Sequence, residues 1–173
     1  MKNPLSNLHE ALVFQLEGLY DAEKKLEKSM RICANKVMSQ TLRAEITKYG
    51  EQASDKRIKL KRAFSYLGCG PFGRKNRVMR DLIKDMLELS EYTTEGRIRD
   101  AMVIAFMKNI THYKIEDYCT AQSFAIELQL DTVADLLHEI IHWERVTGET
   151  LAKIALDQIN VRAKQSRLAG AIH

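Results

Sequence analysis

Four long stretches of this sequence space apolar residues in alternating steps of four and three, and each series is interrupted near its middle by polar side chains. The first series runs Leu12, Leu16, Leu19, Glu23, Leu26, Met30, Cys33 and Val37. The second runs Leu42, Ile46, Tyr49, Ala53, Lys56, Leu60, Ala63 and Leu67, and the third Ile104, Met107, Thr111, Lys114, Tyr118, Ala121 and Ala125. The fourth carries Val133, Leu136, Leu137, Ile140, Ile141, Val146, Leu151, Ile154 and Ala155. Such spacing keeps a stripe on one helical face and gives no strand alternation. Four long amphipathic helices with short connections pack as an antiparallel bundle. The predicted fold class is therefore all-α, an antiparallel four-helix bundle with one short extra helix between the second and third long ones.

The boundaries follow from capping and turn residues. The first helix is expected to open at Asn3, with Pro4 in its first turn, or alternatively at Asn7, with Glu10 three residues on. It should end near Met38. Gly68-Cys69-Gly70-Pro71-Phe72-Gly73 ends the second helix. The short helix spans roughly Val78 to Glu91, the third long helix Arg97 to Leu128, and the last, capped by Asp131, ends near Val161. Only two prolines and eight glycines among 173 residues leave too little turn punctuation for an all-β fold. The expected organisation is one bundle domain over residues 1–162 and a basic tail over 163–173, within a basic stretch from Val161 that carries Arg162, Lys164 and Arg167. No apolar run nears 18 residues, so no membrane partner is expected. Met1–Asn7 lacks a hydrophobic signal region, and three scattered cysteines fit free thiols, which together indicate the cytoplasm.

The interruptions carry the chemistry. Glu23 in the first helix, Gln52 and Lys56 in the second, Thr111 and Lys114 in the third, and Glu139 and His142 in the fourth are expected to converge on one polar layer. Buried charges must be paired or bind metal. Bundle di-metal sites draw one Glu from each of two helices and a Glu-x-x-His pair from each of the others. Here one such pair, Glu139 and His142, and one lone Glu23 are present. A second pattern overlaps it: His138-Glu139-Ile140-Ile141-His142 is the H-E-x-x-H arrangement of zinc peptidases. It lacks a third ligand, since Arg145 and Gly148 stand where the extended forms want Gly and His.

Leu19-Tyr20-Asp21-Ala22-Glu23-Lys24-Lys25-Leu26, Arg99-Asp100-Ala101, His112-Tyr113-Lys114-Ile115 with Tyr118, and Leu136-Leu137-His138-Glu139 with Glu144 and Thr147 resemble the YciE/YciF-type ferritin-like family of bacteria. The resemblance covers nearly the whole chain and implies a ferritin-like bundle, a di-metal centre in some members, and stress-related roles. The departures bear on that centre. Gln52-Ala53 stands where the family has Glu-Thr, Lys56 stands for the Gln one turn on, and Thr111-His112-Tyr113-Lys114 replaces Glu-His-Tyr-Glu. Glu23 and Glu139 are the carboxylates carried over, with His142 at a position where an acid is usual.

The functional reading is a stress-associated ferritin-like bundle protein with a degraded di-metal site and no redox catalysis. Its layer of Lys56, Lys114, Gln52 and Thr111 would stand in for metal, with Glu23 paired to Lys56 or Lys114. Glu23, Glu139 and His142 are the residual candidate ligands, and no cofactor is expected. The alternative is a di-iron or di-manganese oxidase or peroxide-detoxifying protein, and the remote alternative the zinc peptidase. A homodimer is expected, from an apolar surround at Ala101–Met107 and from Met79, Ile83 and Met86 taken as one exposed side of the short helix. A net charge of +4 and a short basic tail imply at most weak nucleic-acid binding.

Overall fold

The protein was analysed as a computed structural model that describes the backbone of residues 4–170 and the side chains of residues 4–157. Among the described residues, five helices follow in order: α1 (Leu8–Ala34), α2 (Gln40–Tyr66), α3 (Arg77–Tyr92), α4 (Gly96–Glu127) and α5 (Asp131–Gly170). α1 and α2 form one antiparallel hairpin and α4 and α5 another. The hairpins join through α1 against α4 and α2 against α5, while α3 packs across α4 and α1. This is an all-α bundle of the ferritin-like kind, and no described helix is long and apolar enough to cross a membrane.

The caps explain where the elements begin. α1 opens at Leu8, not Asn3. Asn7 is extended and its side chain accepts from the Glu10 amide, while Glu10 reaches back to the amide and hydroxyl of Ser6. This reciprocal pairing satisfies donors that a helix start leaves open. The side chains of Ser39, Asn76 and Glu95 each accept a first-turn amide of α2, α3 and α4 in turn. α1 also ends before Met38. The Met38 and Ser39 amides donate instead to Asp100 of α4, at 2.9 and 2.8 Å, so the chain leaves the helix there. Asp131 is the first helical residue of α5 rather than its cap, and α5 continues past Val161 to Gly170. The basic residues Arg162, Lys164 and Arg167 lie outside the described side chains.

All eight members of the first stripe are buried, as are the third stripe throughout and the second up to Ala63. Two expectations fail. Met79, Ile83 and Met86 are buried against the chain's own core rather than exposed, because α3 turns that face onto α1 and α4. Along α4, Val103, Ile104 and Met107 are buried, but Ala101, Met102 and Ala105 remain exposed, so the segment is not surrounded on all sides. The apolar interior falls into two clusters. One holds Leu26, Met30, Ile46, Met107 and Leu151 with α3, and the other holds Leu12, Leu16, Leu60, Ala121 and Leu137. Between them lies a layer of charge.

A buried ion layer at the bundle centre

Glu23 of α1, Lys56 of α2, Lys114 of α4 and Glu144 of α5 are each fully buried. Four helices thus deliver one charge each to a common level. The step pattern explains why. Continuing the apolar series of α5 by fours and threes gives Val133, Leu137, Ile140, Glu144, Thr147, Leu151 and Ile154, and every one of these is buried. Val146, expected in the stripe, is instead exposed at 37%.

The four charges form one connected network. The Lys114 ammonium lies 2.6 Å from Glu23 Oε1 and 2.5 Å from Glu144 Oε1. The Lys56 ammonium lies 2.5 Å from the same Glu144 oxygen. Two phenols complete it: Tyr49 donates to Glu144 Oε2 at 2.8 Å, and Tyr118 donates to Glu23 Oε1 at 2.7 Å. Lys114 also donates to the Tyr49 oxygen at 3.2 Å. Both ammonium groups sit near the Tyr49 ring, Lys56 at 4.7 Å and Lys114 at 4.9 Å from its centroid, a distance at which the ring quadrupole attracts a cation. Glu23 Oε2 has no hydrogen-bond partner.

Two positive and two negative groups leave the layer with no net formal charge, the condition under which ions are tolerated away from water. The titration behaviour follows. Burial opposes the charge on Glu144, but Lys114 and Lys56 outweigh it and hold the carboxyl below its ordinary value. Burial likewise opposes the charge on Lys114, and here Glu144 and Glu23 prevail and raise it. For Lys56 burial wins, and with the repulsion of Lys114 it depresses the ammonium despite Glu144. Burial and the neighbouring carboxylates push Tyr49 and Tyr118 well above their usual range, so both stay protonated donors.

The structure redistributes the residues that the sequence singled out. Glu23, Lys56 and Lys114 meet. Glu139 does not join them: it lies on the surface of α5 and pairs with Lys59 of α2. His142 is exposed as well. Both point away because they fall one or two residues out of step with the buried stripe, which at this level runs through Ile140 and Glu144. Gln52 is only half-buried and its Oε1 lacks a partner, while the buried Thr111 hydroxyl donates to the Lys108 carbonyl of its own helix. The residues missed as members of the layer are Glu144, Tyr49 and Tyr118. Stepping α5 strictly by fours and threes from Leu137 was the signal that would have found Glu144.

The donor chemistry here does not fit a pair of divalent cations. An ammonium has no lone pair to ligate with, and that of Lys114 is already between the two carboxylates. Among the described residues, no three His, Cys, Asp or Glu side chains converge as a metal-binding group. Within the H-E-x-x-H motif, Glu139 is engaged by Lys59 of α2.

Other sequence features that mark this chain are locks between elements. Asp21, one residue after Tyr20, accepts the Asn76 amide at 2.9 Å and pins the loop before α3 onto α1. Asp100 holds the α1–α2 turn, and Arg99 donates to the Lys36 and Thr93 carbonyls beside it.

The chain is similar to known proteins over most of its length. The family described as "Domain of unknown function (DUF892)" matches residues 7–164. Protein YciF of Escherichia coli K12 is 26% identical over 172 residues, covering 92% of this chain and 97% of its own. The crystal structure of the E. coli stress protein YciF superposes with a TM-score of 0.87 at 24% identity, over 90% of this chain and 99% of that one. YcfI from Rhodopseudomonas palustris superposes at 0.84 and 22% identity, over 88% and 97%. The likeness in sequence and fold runs nearly end to end, and the chain belongs to this DUF892, YciF-type family of helical bundle proteins.

Proposed function

We propose that this protein is a stress-associated, ferritin-like bundle in which a buried salt-bridge layer stands where relatives of this fold hold metal, and that it works without redox catalysis. The observation that carries the reading is the position of Lys114, within 2.6 Å of carboxylates from two helices. Its charge does what a cation would do between those groups, binding α1, α4 and α5 into one unit. Inserting a divalent ion as well would leave an uncompensated positive charge in a layer already balanced. The stress association rests on the likeness to E. coli YciF, which is described as a stress protein. Free Cys33, Cys69 and Cys119 support a cytoplasmic setting, and the exposed Ile98 and Met102, one turn apart on α4, support a homodimer.

Metal analysis after dialysis against iron(II) or manganese(II) tests the reading. The parent protein is expected to retain neither ion, whereas Lys114→Glu with Lys56→Gln, which leaves carboxylates on three helices, is expected to gain uptake. Retention of two equivalents of iron or manganese by the parent overturns the reading in favour of a di-metal oxidase.

A further inference from the structure

The ion layer leaves one metal-binding motif unused. His138 and His142 lie four residues apart on α5, both exposed, on the surface that the buried Leu137–Ile140–Glu144 stripe turns away from the core. Residues at this spacing stack one turn above each other with Cβ atoms about 5–6 Å apart. Two imidazoles so placed can take adjacent positions around a single tetrahedral ion, with nitrogen–metal distances of about 2.0–2.1 Å.

We propose that His138 and His142 form a bidentate surface site for a borderline divalent cation, zinc above all, with water completing the shell. The neighbours define its character. Glu139 pairs with Lys59 of α2 and lies within the field of Arg62 and of His138 itself, so it adds negative charge beside the imidazole pair. Asp135, exposed and three residues before His138, adds negative charge to this face. It is seven residues, about 10 Å along the helix, from His142, too far for all three to share one ion. Imidazole suits zinc, copper and nickel, and a hard oxygen-seeking ion gains little from two nitrogens. The site is therefore selective by ligand type and open in geometry, a place where a borderline ion docks on the bundle surface without entering the core.

Titration calorimetry with zinc chloride on the full chain, compared with His138→Ala and His142→Ala, tests this. Alanine is the best helix former, and both positions are exposed, so the variants should keep their helical circular dichroism. The parent is expected to show one saturable equivalent that each single variant loses. Absence of saturable binding in the parent overturns the proposal and leaves the proposed function standing. Binding that persists in both histidine variants but vanishes on Glu23→Gln overturns it too, and by placing the ion in the buried layer counts against the proposed function as well.

Discussion

At the scale of single residues, Lys114 is the most consequential side chain in the molecule. Its ammonium touches Glu23 and Glu144, and its removal leaves Glu144 to Lys56 and Tyr49, and leaves buried Glu23 with only the neutral donor Tyr118 in hydrogen-bond contact. Breaking a buried pair by deleting one partner typically costs about 3–5 kcal/mol, because the uncompensated charge is what remains. Lys114→Ala is expected to lose that much in urea unfolding, and a loss below about 1 kcal/mol would show that the layer is not held together by charge. The same groups set an acid limit. Glu144 is depressed in the folded state by Lys114 and Lys56, so the folded chain holds this proton less readily than the unfolded one. Its contribution to stability is thus present above the ordinary glutamate value of 4.5 and is lost as pH falls through the lower, folded value. The urea midpoint should fall as the pH drops below about 4.5, and Glu144→Gln should flatten that part of the profile.

At the scale of elements, the α1–α2 hairpin depends on a close approach that a single methyl group would disturb. A Cβ placed on Gly50 would lie 2.9 Å from Met30 Cβ, an atom fixed by the α1 backbone rather than the free end of a side chain. Gly50→Ala therefore forces the helices apart. Overpacking of this kind costs about 1–3 kcal/mol, against the gain in helix propensity that alanine brings, and the variant should melt earlier. Most of the bundle was legible at this scale because the four-and-three stripes report burial directly: Leu12 to Val37 and Ile104 to Ala125 are buried without exception. What the pattern conceals is the neighbour. Met79, Ile83 and Met86 read as one apolar side of a short helix, and nothing local says whether that side meets a second copy or the chain's own α1 and α4. The α1 terminus was misplaced for the same reason, since the group that takes over the Met38 amide is Asp100, sixty-two residues away. In the layer, Lys56, Lys114 and Glu23 stood out as charges inside stripes. Glu144 was hidden by the adjacent Glu139 and His142, which offered a familiar Glu-x-x-His spacing on the wrong face of α5.

At the scale of the whole molecule, the layer joins two apolar clusters that would otherwise meet only through continuous helices. Each half buries its own leucines, but Glu23, Lys56, Lys114 and Glu144 tie all four long helices at one level, with Tyr49 and Tyr118 donating from α2 and α4. Apolar contacts are tolerant of sliding, whereas a charge that meets its partners at 2.5–2.6 Å is satisfied in one register. On the proposed reading, the layer sets how the hairpins align in place of a bridging metal ion. The two devices differ in what they need from outside. An ion that binds only the folded chain stabilises it in proportion to the logarithm of its free concentration, so a metal-tied bundle has a melting temperature that falls when chelator is added. A bundle tied by its own side chains has no such dependence, and a fully buried pair is only weakly screened by salt. The melting temperature of the parent is therefore expected to be the same with EDTA as with added iron or manganese. Lys114→Glu with Lys56→Gln should be less stable in chelator and recover as either metal is added, since its excess of buried negative charge then needs a cation to fold around. A chelator-dependent fall in the parent that persists in His138→Ala and His142→Ala would show that an ion, and not Lys114, holds the hairpins in register.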